Sequence, residues 1–118
     1  MQKLLLIVLF IFSVSALAQQ NNSTPCRNKA YGYMNETDSR KYCQNVATNC
    51  FNKLYASEGF YQTRDLCLNV GYSCFAKAVK RMPKLDAAEI CQDVNTSCFS
   101  AYYKETKDIK LTIKKCSR

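Results

Sequence analysis

The chain has 118 residues, 8 of them Cys, with no His and no Trp, and its 17 Lys plus Arg outnumber 9 Asp plus Glu for a formal charge of +8. One domain is the expectation at this length. The lack of His excludes Ser-His-Asp and Cys-His catalysis and His-bound zinc, and 47% hydrophobic with 22% charged residues excludes a disordered or collagen-like chain.

Residues 1–18 read as a secretory signal peptide. Lys3 supplies the positive start, residues 4–12 (LLLIVLFIF) the apolar core, and Ala16, Leu17 and Ala18 the small-x-small cleavage pattern. The apolar stretch is shorter than the roughly 20 residues that a spanning helix needs. No later stretch is apolar enough, so no transmembrane segment is expected after processing. Loss of Lys3 leaves 16 basic against 9 acidic side chains, a net +7, and keeps all 8 Cys. An exported chain with an even cysteine count predicts a secreted or periplasmic disulfide scaffold. Residues 19–25 form a polar leader, and residues 26–118 a single Cys-rich helical repeat domain.

The cysteines stand at 26, 43, 50, 67, 74, 91, 98 and 116, so the intervals alternate 17 and 7 and close on 18. That is a stride of 24, and neighbouring residues keep it: CQNVATNCF from Cys43, CLNVGYSCF from Cys67 and CQDVNTSCF from Cys91 share C-x-[ND]-V-x-x-x-C-F. Within the first copy Cys43, Val46, Ala47, Cys50, Phe51 and Leu54 recur at helical spacing, with polar residues between them. The same stripe recurs from Cys67 and Cys91. Three helices are therefore predicted, each of about 18–20 residues with connections of about 4–7. The first, capped by Asp38 and Ser39, runs to 56 before Gly59. The second runs over 64–82, capped by Thr63 and stopped by Pro83. The third starts at a capping box formed by Asp86 and Glu89 and runs to 106. Residues 26–34 resemble the back half of one more unit, and 108–114 are helix or extended coil. The fold class is all-α: a small disulfide-stapled array of antiparallel helices built from the 24-residue Cys repeat.

Two Cys seven apart on one helix are separated by about 10.5 Å of rise, beyond the roughly 4.4–6.8 Å that a disulfide allows between Cα atoms. Across a hairpin centred near residue 60, Cys50 and Cys67 can meet. The repeat extends that choice to a sequential ladder: Cys26 with Cys43, Cys50 with Cys67, Cys74 with Cys91, Cys98 with Cys116. A nested arrangement, with Cys43–Cys74 outside Cys50–Cys67, is the alternative.

For function, the wide Cys spacing does not suit zinc, and without C-x-x-C there is no redox motif. No cofactor or metal is expected. Asp38, Asp65, Asp86 and Glu89 sit at expected helix starts, where negative charge complements the macrodipole, so no paired acid/base site is read and no enzyme is expected. Lys77, Lys80, Arg81 and Lys84 fall at i, i+3, i+4 and i+7 and make a candidate anion-binding face. Lys104, Lys107, Lys110, Lys114, Lys115 and Arg118 follow. Without a base-reading motif, no specific nucleic-acid partner is expected. Tyr31, Tyr33, Tyr61, Tyr72 and Tyr103 lie off the main stripe, where exposed rings would suit a binding surface. Asn-x-Ser/Thr occurs at Asn21, Asn22, Asn35 and Asn95. The expected function is an exported non-enzymatic binding module whose basic face meets anionic lipid headgroups or an acidic glycan; a protein partner is also compatible. The alternatives are a secreted membrane-active effector or antimicrobial, or a purely structural envelope protein.

Overall fold

The third residue of each C-x-[ND]-V segment decides the architecture. Asn45, Asn69 and Asp93 take left-handed φ angles of 63°, 59° and 59°, a region that Asn and Asp tolerate best among residues with a Cβ. A left-handed residue ends a helix, so the three long helices expected from periodicity do not form. Each is cut into two by a sharp corner. The computed structural model describes residues 23–117; the expected signal peptide and most of the leader lie outside the described residues.

Eight helices occur among the described residues: α1 (Thr24–Ala30), α2 (Glu36–Tyr42), α3 (Thr48–Glu58), α4 (Phe60–Cys67), α5 (Tyr72–Ala78), α6 (Lys84–Ile90), α7 (Thr96–Thr106) and α8 (Ile109–Cys116). Helix α1 begins inside the expected polar leader, and Ser23 before it is buried, its hydroxyl donating to the Val46 carbonyl at 2.8 Å. The ambiguous tail is helix α8. Its first turn is capped by the Asp108 carboxylate, which accepts from the Leu111 amide at 3.1 Å.

The expected caps shift with the corners. Asn35, not Asp38 or Ser39, caps α2 by accepting from the Asp38 amide. Thr63 lies inside α4 and is fully buried. Pro83 precedes α6 rather than ending α5, and Asp86 sits in the first turn of α6 without a side-chain cap. Gly59 is the whole turn between α3 and α4; its φ of 79° is the reason that glycine stands there.

The helices pair into four hairpins, α1–α2, α3–α4, α5–α6 and α7–α8, each closed at its base by a disulfide. The bonds are Cys26–Cys43, Cys50–Cys67, Cys74–Cys91 and Cys98–Cys116, with Cα separations of 5.6–5.7 Å. This is the sequential ladder; the nested pairing does not occur. Four disulfides indicate an oxidising, non-cytosolic setting. Among the described residues no helix is long and apolar enough to cross a membrane.

Successive hairpins join at their bases through backbone hydrogen bonds. The Ala47, Gly71 and Asn95 amides donate to the Cys67, Cys91 and Cys116 carbonyls at 3.1, 2.9 and 3.1 Å. The Asn69 and Asp93 amides donate to the Asn45 and Asn69 carbonyls at 2.8 and 2.7 Å. Val46, Val70 and Val94 are buried beside these joints. Gly71 is forced by the approach: a Cβ there would collide with the Val94 carbonyl.

The odd-numbered helices form a continuous row, α1 against α3, α3 against α5, α5 against α7. Each even helix packs on its own partner, and those from α4 onward also on the preceding odd helix. The core repeats with the chain: Phe51, Phe75 and Phe99 are almost fully buried at a stride of 24, while Ala30, Ala78, Ala87 and Ala88 let helices close together.

A longer period overlies the short one. Helix lengths run 7 and 7, 11 and 8, then again 7 and 7, 11 and 8 residues. Units one and three are alike, and so are two and four, so the structural repeat is 48 residues. Lys29 and Lys77, Met34 and Met82, Asp38 and Asp86, and Tyr55 and Tyr103 match at that stride.

Two outcomes check this account. Asn69→Gly should leave stability nearly unchanged, whereas Asn69→Val should cost about 1–2 kcal/mol in denaturant unfolding, because a β-branched residue resists the left-handed region. Replacing Cys50 and Cys67 together by Ala should cost about 3 kcal/mol for the lost loop closure, and excess thiol should lower the helical circular dichroism of the parent.

Candidate functional site

The basic quartet lies at one end of the third hairpin. Lys77 is in the last turn of α5, Lys80 and Arg81 are in the connection, and Lys84 is the first residue of α6. The expected single helical face is therefore absent, because α5 stops at Ala78. In its place the four cations surround a hairpin tip. The Arg81 and Met82 amides donate to the Ala78 carbonyl at 3.0 and 3.1 Å, which keeps the turn tight. Lys77, Lys80 and Arg81 are exposed and Lys84 is half-buried.

The neighbouring tip adds to this charge. Arg81, Lys107 and Lys110 line one shallow pocket between the third and fourth hairpins, floored by Met82 and Ile109. Asp108 lines the same pocket and caps α8; its carboxylate keeps its negative charge, and the cations outnumber it three to one. The Thr106 and Thr112 hydroxyls bond to each other at 2.8 Å and brace the α7–α8 turn. Among the described residues the two ion pairs are Arg40 with Glu36 and Arg64 with Asp65. The basic residues at the third and fourth tips thus have no carboxylate partner. In the sequence, the quartet and the tail lysines form two separate clusters; stacking of hairpins brings Arg81 beside Lys107 and Lys110.

Lys107 ends α7 in a left-handed conformation, with φ 51°. Glycine is the usual residue there, because a Cβ is strained in that region.

A second exposed surface gathers aromatic rings near the tips of the first two hairpins. Tyr33 stacks on Phe60 at 4.9 Å, and Tyr61 meets Tyr33, Tyr42 and Phe60 edge-on at 5.4, 5.8 and 5.0 Å. Tyr31, Tyr33 and Tyr61 are about half exposed, as a binding surface would require, whereas Tyr72 and Tyr103 are partly covered in a groove between α5 and α7. Arg64 lies 4.3 Å over the Tyr42 ring and donates from Nε to the Tyr42 carbonyl at 2.8 Å. Burial, reinforced by Asp65 and Tyr61 against the opposing pull of Arg64, pushes the Tyr42 phenol above its ordinary range. Of the sequons, Asn35 and Asn95 both use their side-chain oxygens as helix caps, accepting from Asp38 and Cys98. Asn21 and Asn22 lie outside the described residues.

No known protein family, curated protein or solved structure matches the chain. The site's geometry offers fixed positive charge on a cross-linked frame.

Lys107→Gly should raise stability by about 1 kcal/mol by relieving the left-handed strain, measured as a higher midpoint in guanidinium, while removing one cation from the tip.

Proposed function

We propose that the protein is an exported, secreted or periplasmic, non-enzymatic binding module whose basic hairpin tips meet an anionic partner, either lipid headgroups or an acidic glycan. The convergence of Arg81, Lys107 and Lys110 on one open pocket supports this reading. Beside it stand Lys77, Lys80 and Lys84 with no carboxylate partner. Cations favour helix C-termini and solubility in any protein. That explains Lys77 at the end of α5, but not the approach of like charges across two hairpins. A frame closed by four disulfides holds the backbone beneath these cations at fixed spacing, so contact orders side chains but not the chain.

Exposed leucines favour a second reading, a membrane-active effector. Leu85 and Leu111, at 41% and 47% exposure, follow Lys84 and Lys110 directly in the chain. Basic residues beside exposed apolar ones are the pattern of a surface that enters the headgroup layer.

Reversing the quartet (Lys77→Glu, Lys80→Glu, Arg81→Glu, Lys84→Glu) should weaken binding to phosphatidylglycerol vesicles or an acidic glycan at low salt by about a hundredfold or more. Binding as tight as the parent's would refute the reading. Dye-loaded vesicles separate the two readings: a passive binder leaves them sealed, and an effector releases the dye.

A further inference from the structure

The row of odd helices carries a basic surface of a different kind, made by the repeat itself. Lys29, Lys53 and Lys77 occupy equivalent positions 24 residues apart on α1, α3 and α5, and all three are exposed. Packed helices lie about 8–10 Å apart, and these helices pack directly on one another. The three lysine positions therefore step across the helix axes at about that interval, with the Lys29 ammonium drawn towards α3 and that of Lys77 towards α7.

Two grooves flank the row at the 48-residue period. The first lies between α1 and α3 and the second between α5 and α7, and odd helices alone line both. In the first, Lys29 lies 4.9 Å over the Tyr55 ring, which stacks on buried Phe51. In the second, Lys77 lies 5.6 Å over the Tyr103 ring, which stacks on buried Phe99. A lysine drawn towards an aromatic ring is held in one direction, so Lys29 and Lys77 are oriented before a ligand arrives, while Lys53 adapts to it. Asn28 and Asn52 line the first groove, and Ser73, Ser100 and Lys104 the second.

The odd helices together carry a net positive charge, and of the even ones α8 does as well, through Lys110, Lys114 and Lys115. The odd helices carry Arg27, Lys29, Lys53, Lys77 and Lys104 against Glu58 and Glu105. Both ion pairs lie in even helices, α2 and α4.

We propose that this face is a track for a linear acidic polysaccharide, which crosses the odd helices and sets a carboxylate or sulfate against each of Lys29, Lys53 and Lys77. A step of this size suits a chain carrying one anion per disaccharide. The amides and hydroxyls in the grooves suit sugar hydroxyls. Single-stranded nucleic acid is held by bases stacking on aromatic rings, but Tyr55 and Tyr103 are each already occupied by a phenylalanine and a lysine. A membrane surface suits this face less, because exposed Leu85, Ile90 and Leu111 all lie on even helices. The proposal rests on the reading above only in taking the partner as anionic. It adds a second contact face for that partner, and Lys77 alone belongs to both.

The test uses the oxidised protein with hyaluronan fragments of graded length, which carry one carboxylate per disaccharide, and with heparin, dextran, a single-stranded oligonucleotide and phosphatidylglycerol vesicles for comparison. Two variants are made: Lys29→Ala with Lys53→Ala on the row, and Lys80→Ala, Arg81→Ala, Lys107→Ala and Lys110→Ala at the tips. All these residues are exposed, and unchanged circular dichroism and melting verify that each variant is folded. The acidic glycans should bind, dextran should not, and affinity should rise with fragment length until a fragment spans the three lysines. The row variant should bind about tenfold more weakly or worse, with the slope of log affinity against log salt reduced by about 2. The tip variant should weaken fragments of every length alike and keep the rise of affinity with length, which the row variant should lose. A row variant that binds like the parent overturns the track; if the tip variant is then the weakened one, the tip reading survives alone. Tighter binding of the oligonucleotide or vesicles through Lys29 and Lys53 overturns the polysaccharide as occupant. A parent that binds no anion at low salt overturns both readings.

Discussion

Each connection between hairpins is fixed twice, and the rest of the structure depends on that double fixing. A disulfide closes the hairpin at its base, and two residues on, a left-handed Asn or Asp turns the chain so that its backbone meets the next base. The Cys67 carbonyl, adjacent to a bridged sulfur, accepts from Ala47, while Asn69 donates back to Asn45. The second joint repeats this with Cys91, Gly71, Asp93 and Asn69. Buried backbone groups need partners, and here each hairpin supplies them to its neighbour. A hairpin of two seven-residue helices could not hold itself together; with its base stapled and paired, it becomes a rigid unit.

The joints recur every 24 residues, but the hairpins they hold do not have one length. Gly59 alone turns the second hairpin and Lys107 with Asp108 the fourth, while the first and third use five residues each. The bases and the Phe51, Phe75, Phe99 series define the fold, and the tips are free to differ. They do differ in kind: aromatic at the first two hairpins, basic at the last two. Surface chemistry varies where no joint constrains it, which is the usual division of labour between a scaffold and its loops.

Much of this was legible in the cysteines. Their stride implied hairpins stapled in sequence, and the bonds Cys26–Cys43 through Cys98–Cys116 follow it. The apolar spacing overstates helix length for a specific reason. Cys43, Val46, Ala47, Cys50 and Phe51 have helical spacing although a corner interrupts them, because both the corner and the helices face their apolar residues to one core. The signal for the corner was present at 45, 69 and 93, where only Asn or Asp occurs. A polar helix face would have no reason to select those two types, whereas a left-handed residue does. The 48-residue period was visible in Tyr55 with Tyr103 and Lys29 with Lys77, but the cysteine stride masked it. The meeting of Arg81 with Lys107 and Lys110 could not be read from the chain at all. It depends on which tips become neighbours, and that is a property of the stacked hairpins.

Covalent closure also explains why the excess positive charge is tolerated. Like charges on one face repel and weaken a compact state, a penalty that a small core offsets poorly. Here the staples stabilise largely by restricting the unfolded chain, so the folded surface need not be electrostatically balanced. Helices α2 and α4 nonetheless pair their charges, Arg40 with Glu36 and Arg64 with Asp65, while the odd helices do not. The imbalance is thus confined to particular faces of a frame with sequence-encoded balance elsewhere. Lys29 and Lys77 are turned onto tyrosines rather than towards acids, which orients their charge without cancelling it. Charge that is held in place and left uncancelled has its largest effect on a partner brought from outside.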